Sequence, residues 1–148
     1  AEGPRQVGPG LEQGFGGEQV VAIEIDTHRA GREDLIVDAG LVETVAADRT
    51  VAPGVRLRMT PGHTPGHMCV WIGDDCVITG DVVHHPVQCG HPEWTATGDG
   101  DPDLARSARR DFLATAAEKK ALVLGTHFAG TSAGYVVPVG GGYRFEMA

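Results

Sequence analysis

The sequence predicts an α/β fold, a mixed β-sheet packed against helices, and three observations carry that reading. Apolar and charged residues alternate in Val55–Met59, the pattern of a strand with one buried face. Pro102–Lys120 repeats its apolar residues with the period of an amphipathic helix. Ala121–Leu124 is a short, continuous apolar run, as in a strand covered on both faces.

The elements follow in order. Residues 1–19 have no hydrophobic period and are expected to be a loose N-terminal segment, with the folded unit over residues 20–148. Val20–Ile25 is a strand candidate, Gly31–Ala39 a short helix ended by Gly40, and Leu41–Val45 a weak strand. Ala52-Pro53-Gly54 is a turn before the Val55–Met59 strand. Met68–Ile72 and Cys76–Thr79 make a hairpin through Gly73-Asp74-Asp75. Residues 82–100 are irregular and rich in His, Pro and Gly, and a loop that long is often functional. In the Pro102–Lys120 helix, Asp101 is the N-cap and Pro102 the first helical residue. Leu104, Ala105, Ala108, Phe112, Leu113 and Ala116 form its apolar stripe. Tyr135–Val139 and Tyr143–Met147 make a final hairpin through Gly140-Gly141-Gly142.

Composition sets bounds. A chain of 148 residues suits one domain. Only 5% of residues are aromatic, so the core must be mainly aliphatic. The net charge is −8, and no Lys/Arg stripe is present, which argues against nucleic acid and anionic membranes as partners. No apolar stretch is long enough to span a bilayer, and no signal peptide is visible. Cys69, Cys76 and Cys89 are odd in number, and Cys69 and Cys76 fall at offset places on the hairpin, so buried thiols in a reducing, cytoplasmic setting are expected instead of disulfides.

One arrangement recurs three times. A strand runs into a Gly-containing break, and a metal-capable side chain follows: Val55–Met59 to His63, Cys76–Ile78 to Asp81, and Ala121–Leu124 to His127. Ligands bind where loops diverge at strand ends. Two imidazoles and a carboxylate suit zinc or another borderline divalent metal. His67 is expected to support the site or its turn. His84 and His85 are candidates to line it, and Trp94 and Phe128 to wall its pocket, with core or lid packing as the alternative for those two.

The run Thr60-Pro61-Gly62-His63-Thr64-Pro65-Gly66-His67 resembles the TPGHTPGH motif of metallo-β-lactamase-fold hydrolases, in a lactonase-like branch. Thr79-Gly80-Asp81 with His84-His85-Pro86, and Gly125-Thr126-His127-Phe128, resemble that family's later ligand motifs in the same order. The resemblance implies that residues 20–148 are the C-terminal half of an αββα sandwich. It implies a dinuclear zinc site in a full-length protein, with iron or manganese as alternatives. His63 would bind one metal and His127 the other. Asp81 would bridge them and position an attacking hydroxide, since such metals lower the pKa of bound water to about 7. The substrates would be small esters, lactones or related electrophiles.

The sequence departs from the family in one respect. The HxHxDH motif is absent, and the only histidine before His63 is His28, in Asp26-Thr27-His28. The N-terminal half of the fold is therefore expected to lie outside these residues. The alternative to a hydrolase is a truncated or degenerate half-domain. It would bind metal weakly or not at all, and would self-associate as a homo-oligomer to cover its sheet.

Overall fold

The structure is a computed structural model that describes Val45 and residues 47–148. The segment 1–19, the Val20–Ile25 strand, the Gly31–Ala39 helix and residues 41–44 of the Leu41–Val45 strand lie outside the described residues. Every strand and helix described lies within Ala46–Ala148.

Among the described residues seven strands form one mixed sheet in sequence order: β1 Arg49–Ala52, β2 Val55–Met59, β3 Met68–Ile72, β4 Cys76–Ile78, β5 Leu122–Leu124, β6 Ala133–Val139 and β7 Gly142–Met147. Every neighbouring pair is antiparallel except β4 and β5, which run parallel. A parallel pair needs a long crossover. Here residues 79–121 supply it, including α1 Val87–Gly90 and α2 Pro102–Lys119. The segment expected to be wholly irregular thus contains a short helix.

Registered neighbours share a face. Trp71, Val77 and Val123 line up across β3, β4 and β5, and with Cys69 and Val136 they meet Phe112, Leu113 and Ala116 of α2 in one buried core. On the opposite face Ile72, Cys76, Leu122 and Tyr135 line up, as do Val70, Ile78 and Leu124. Ile72 and Tyr135 there stay 45% and 41% exposed, so this apolar face is less covered than the first.

The Asp101 side chain accepts from the Leu104 N–H at 3.0 Å, which caps α2. The helix stops one residue earlier than the sequence suggests, because Lys120 takes a left-handed C-cap conformation at φ 51°. Leu104 leaves the predicted stripe. It lies about 100° around the helix from Ala105 and is exposed, while the buried face takes Arg109 instead. A charged residue can occupy that position only because each of its three guanidinium nitrogens has a partner.

Candidate metal centre

The site forms at the ends of β2, β4 and β5. The turn after β2 is closed by a hydrogen bond from the Thr60 N–H to the His67 carbonyl at 2.9 Å. Gly62 sits at φ 132°, and a Cβ there would lie 2.2 Å from the backbone nitrogen of Ala105. The turn and the N-terminus of α2 can touch only because this residue is glycine. The contact is fixed by hydrogen bonds from the Asp101 N–H to the Gly62 carbonyl and from the Gly100 N–H to the His63 carbonyl.

His67 is buried and holds two breaks together. Its Nε2 accepts the backbone N–H of Asp81 at 2.6 Å, so the ring proton must be on Nδ1. That nitrogen lies 2.7 Å from Thr60 Oγ1 and 3.1 Å from the Thr60 carbonyl. The break after β4 is tied to the one after β5 by the Thr79 N–H donating to the Leu124 carbonyl and the Thr126 N–H donating to Thr79 Oγ1.

Asp81 lies at the centre. His63 Nε2 is 3.7 Å from its Oδ2. His127 Nε2 is hydrogen-bonded to its Oδ1, and His84 Nε2 lies 3.9 Å from that same oxygen. Ligand atoms of His63, Asp81 and His84 all fall within 4.8 Å of one another. The His84 ring stacks on His127, with centroids 5.1 Å apart and planes at 12°. The structure therefore gathers His63, Asp81 and His127, and adds His84 as a fourth group on the same side of the carboxylate as His127. Burial pushes the His84 pKa below the ordinary imidazole value, against the opposing pull of Asp81. A neutral imidazole is the form that can ligate a metal.

The remaining candidates sit elsewhere. His85 is exposed, and its Nδ1 accepts the Val87 N–H at the start of α1. Trp94 is exposed and stacks on His91 with centroids 4.4 Å apart. Phe128 takes the core-packing alternative: it is buried in the core, edge-on to Phe145. Its ring fills the space beside Gly125, where a Cβ would come within 2.3 Å of it.

Sequence reasoning missed Asp99, Arg109 and Gln88. Asp99 Oδ1 lies 3.2 Å from His63 Nδ1, and the Arg109 guanidinium donates to Asp99 Oδ2 at 3.3 Å. Burial alone would raise the Asp99 pKa, but the Ala96 N–H, His63 and Arg109 together hold it below the usual carboxylate value. The buried Gln88 amide oxygen accepts from the backbone of His84 and His85, and its NH2 donates to the Trp94 carbonyl. One signal was available: a charged residue within the apolar stripe of α2.

The donor set fits a metal ion, since several imidazoles around a carboxylate are the chemistry that borderline divalent metals favour. No protein-family model and no curated protein sequence matches the chain. Solved structures do. The dizinc quorum-quenching lactonase AidC is 23% identical with a TM-score of 0.69, over 78% of this chain and 41% of its own. The hydrolase AbOPH of the beta lactamase superfamily is 24% identical with a TM-score of 0.67, over the same shares. An N-acyl homoserine lactone hydrolase with product bound at its catalytic metal centre is 25% identical with a TM-score of 0.52, over 59% of this chain and 36% of its own. The fold is thus the metallo-β-lactamase fold, present in part. The chain spans about two-fifths of the length of the structures it resembles.

Proposed function

We propose that these residues are part of the active site of a metal-dependent hydrolase acting on esters, lactones or related small electrophiles. The observation that carries the reading is the approach of His63 and His127 to opposite oxygens of Asp81. A carboxylate addressed from both sides is suited to bridging two cations. Zinc fits this donor set, and iron and manganese share enough of its preferences to remain alternatives. Bound there, such a metal would polarise the substrate oxygen and make water a nucleophile near neutral pH.

The chain's own residues supply position and charge. The Asp81 backbone is fixed by its N–H donating to His67 Nε2. Neutral His84 can ligate, or can donate and accept a proton beside the carboxylate. His127 is half exposed and hydrogen-bonded to the Asp81 carboxylate. The structural relatives named for lactonase activity support the substrate class, through their fold.

The test is metal content after purification, followed by lactone and aryl-ester hydrolysis with and without a chelator. The expected result is stoichiometric metal and chelator-sensitive turnover. Less than about one metal per ten chains with no such turnover rejects the enzyme reading for this chain. It would favour the second reading, a non-catalytic half-domain. The partly exposed apolar sheet face supports that alternative, because such a face invites a second copy.

A further inference from the structure

The two nitrogens of His63 have different neighbours. Nδ1 faces Asp99 Oδ1 at 3.2 Å, and Nε2 faces Asp81 Oδ2 at 3.7 Å. The other oxygen of Asp99 is already committed, accepting from the Ala96 N–H at 3.0 Å and from Arg109 Nη2 at 3.3 Å. The rest of the guanidinium is committed too. Nε donates to the Val82 carbonyl at 2.9 Å, and Nη1 donates to the carbonyls of Pro92 and Trp94 at 3.0 and 2.8 Å. Both side chains are wholly shielded from solvent. The carboxylate cannot turn without unpairing a buried cation.

We propose that Asp99 is a positioning residue that sets the tautomer of His63. It holds the ring proton on Nδ1 and leaves Nε2 unprotonated toward Asp81, with Arg109 clamping the carboxylate in place. Its consequence for metal affinity rests on the proposed metal centre. An ionised carboxylate only accepts hydrogen bonds, so it can be satisfied here only by Nδ1–H. The opposite tautomer would set a nitrogen lone pair 3.2 Å from the Asp99 oxygen, within hydrogen-bond distance, whereas Nε2 stands 3.7 Å from Asp81, beyond it. A carboxylate that fixes a histidine in this way orients the ring as a ligand. The guanidinium that clamps Asp99 also ties the carbonyls of Val82, Pro92 and Trp94, so one buried ion pair sets both the ring and the segment after Asp81.

Asp99→Asn makes a discriminating variant. Two donors, the Ala96 N–H and Arg109, already occupy one side of the group and will keep the amide oxygen there. The amide NH2 must then face His63 Nδ1, which can accept it only if the proton moves to Nε2. Two-bond proton–nitrogen correlation spectra of the metal-free 148-residue chain read the tautomer directly. The expected result is Nδ1–H in the wild type and Nε2–H in D99N. Zinc affinity, by competition with a chelating dye, should fall about 10–100-fold in D99N. Far-ultraviolet circular dichroism establishes that the variant is folded.

A wild-type spectrum with the proton on Nε2 overturns the proposal, as does a folded D99N with unchanged tautomer and zinc affinity. If D99N does not fold, the wild-type spectrum decides alone. A tautomer that switches as stated, in a wild type without zinc affinity, supports the positioning role and overturns only the metal-centre reading.

Discussion

The imidazole of His67 ties the turn after β2 to Asp81, fourteen residues further on, with Nε2 accepting the Asp81 N–H at 2.6 Å and Nδ1 against Thr60. It is an internal strut, unlike His127, whose side chain is 49% exposed. Removing it leaves a cavity and strands the polar atoms it joins. His67→Ala should therefore cost about 2–4 kcal/mol. His127→Ala, near the surface, should change stability by no more than about 0.5 kcal/mol while weakening metal binding. Urea denaturation and zinc titration of the two variants should give opposite profiles. Equal stability losses would show that His67 is not the strut described.

Two glycines with positive φ separate backbone strain from steric exclusion. Gly54, at φ 77°, ends the tight turn between β1 and β2, and a Cβ there would meet nothing within 4 Å. Gly54→Ala should cost only the left-handed conformation, about 1–2 kcal/mol. Gly62 adds a clash with the backbone of Ala105. Gly62→Ala should cost about 2–4 kcal/mol, because strain and overpacking combine. It should also weaken metal binding by displacing the His63 turn. Similar losses for both variants would mean that the close contact with α2 relaxes freely.

The three thiols differ in access. Cys69 and Cys89 are buried, and burial pushes both pKa values up to about 11, against a smaller opposing contribution from the Trp71 side chain at Cys69. Cys76 is partly exposed. A thiol reacts as its thiolate. Raising the pH from about 8 to about 9.5 should therefore leave native Cys69 and Cys89 almost unreactive toward an aromatic disulfide reagent, since both pH values lie below their pKa. Cys76 should react in the native chain, and all three should react in denaturant. Rapid native titration of three thiols would contradict the core packing around β3 and α1.

Much of this was legible in the sequence, and the remainder was hidden for physical reasons. The strands at Val55 and Met68 and the long helix showed themselves through periodicity, because each has one buried face. β1 escaped notice: it is a short strand of mixed polarity, Arg49-Thr50-Val51-Ala52, with an irregular register against β2. The Gly-containing breaks pointed to His63, Asp81 and His127, which the fold gathers. The role of His84 was less visible, since a loop histidine gains a partner only once the crossover folds back over Asp81. Asp99 is 36 residues from His63, and no local pattern encodes that pairing. Arg109 was legible as a charge set within the apolar stripe, but its partners, the Val82, Pro92 and Trp94 carbonyls and Asp99, were not.

The Asp99–Arg109 pair allows a test of how much stability the crossover draws from one buried charge. Arg109→Met keeps much of the side-chain volume but removes every donor. Asp99 is then left as an uncompensated buried carboxylate, and the carbonyls of Val82, Pro92 and Trp94 lose a partner. Breaking a buried pair from one side typically costs about 3–5 kcal/mol. Adding Asp99→Asn removes the orphaned charge, so the double variant should lose clearly less than the sum of the two single losses. A double-mutant cycle from urea unfolding measures that coupling, expected at about 1–3 kcal/mol. Additive losses would mean that Arg109 acts through its carbonyl contacts alone. The clamp on Asp99 would then be dispensable, and the orientation of His63 would have to come from the turn that carries it.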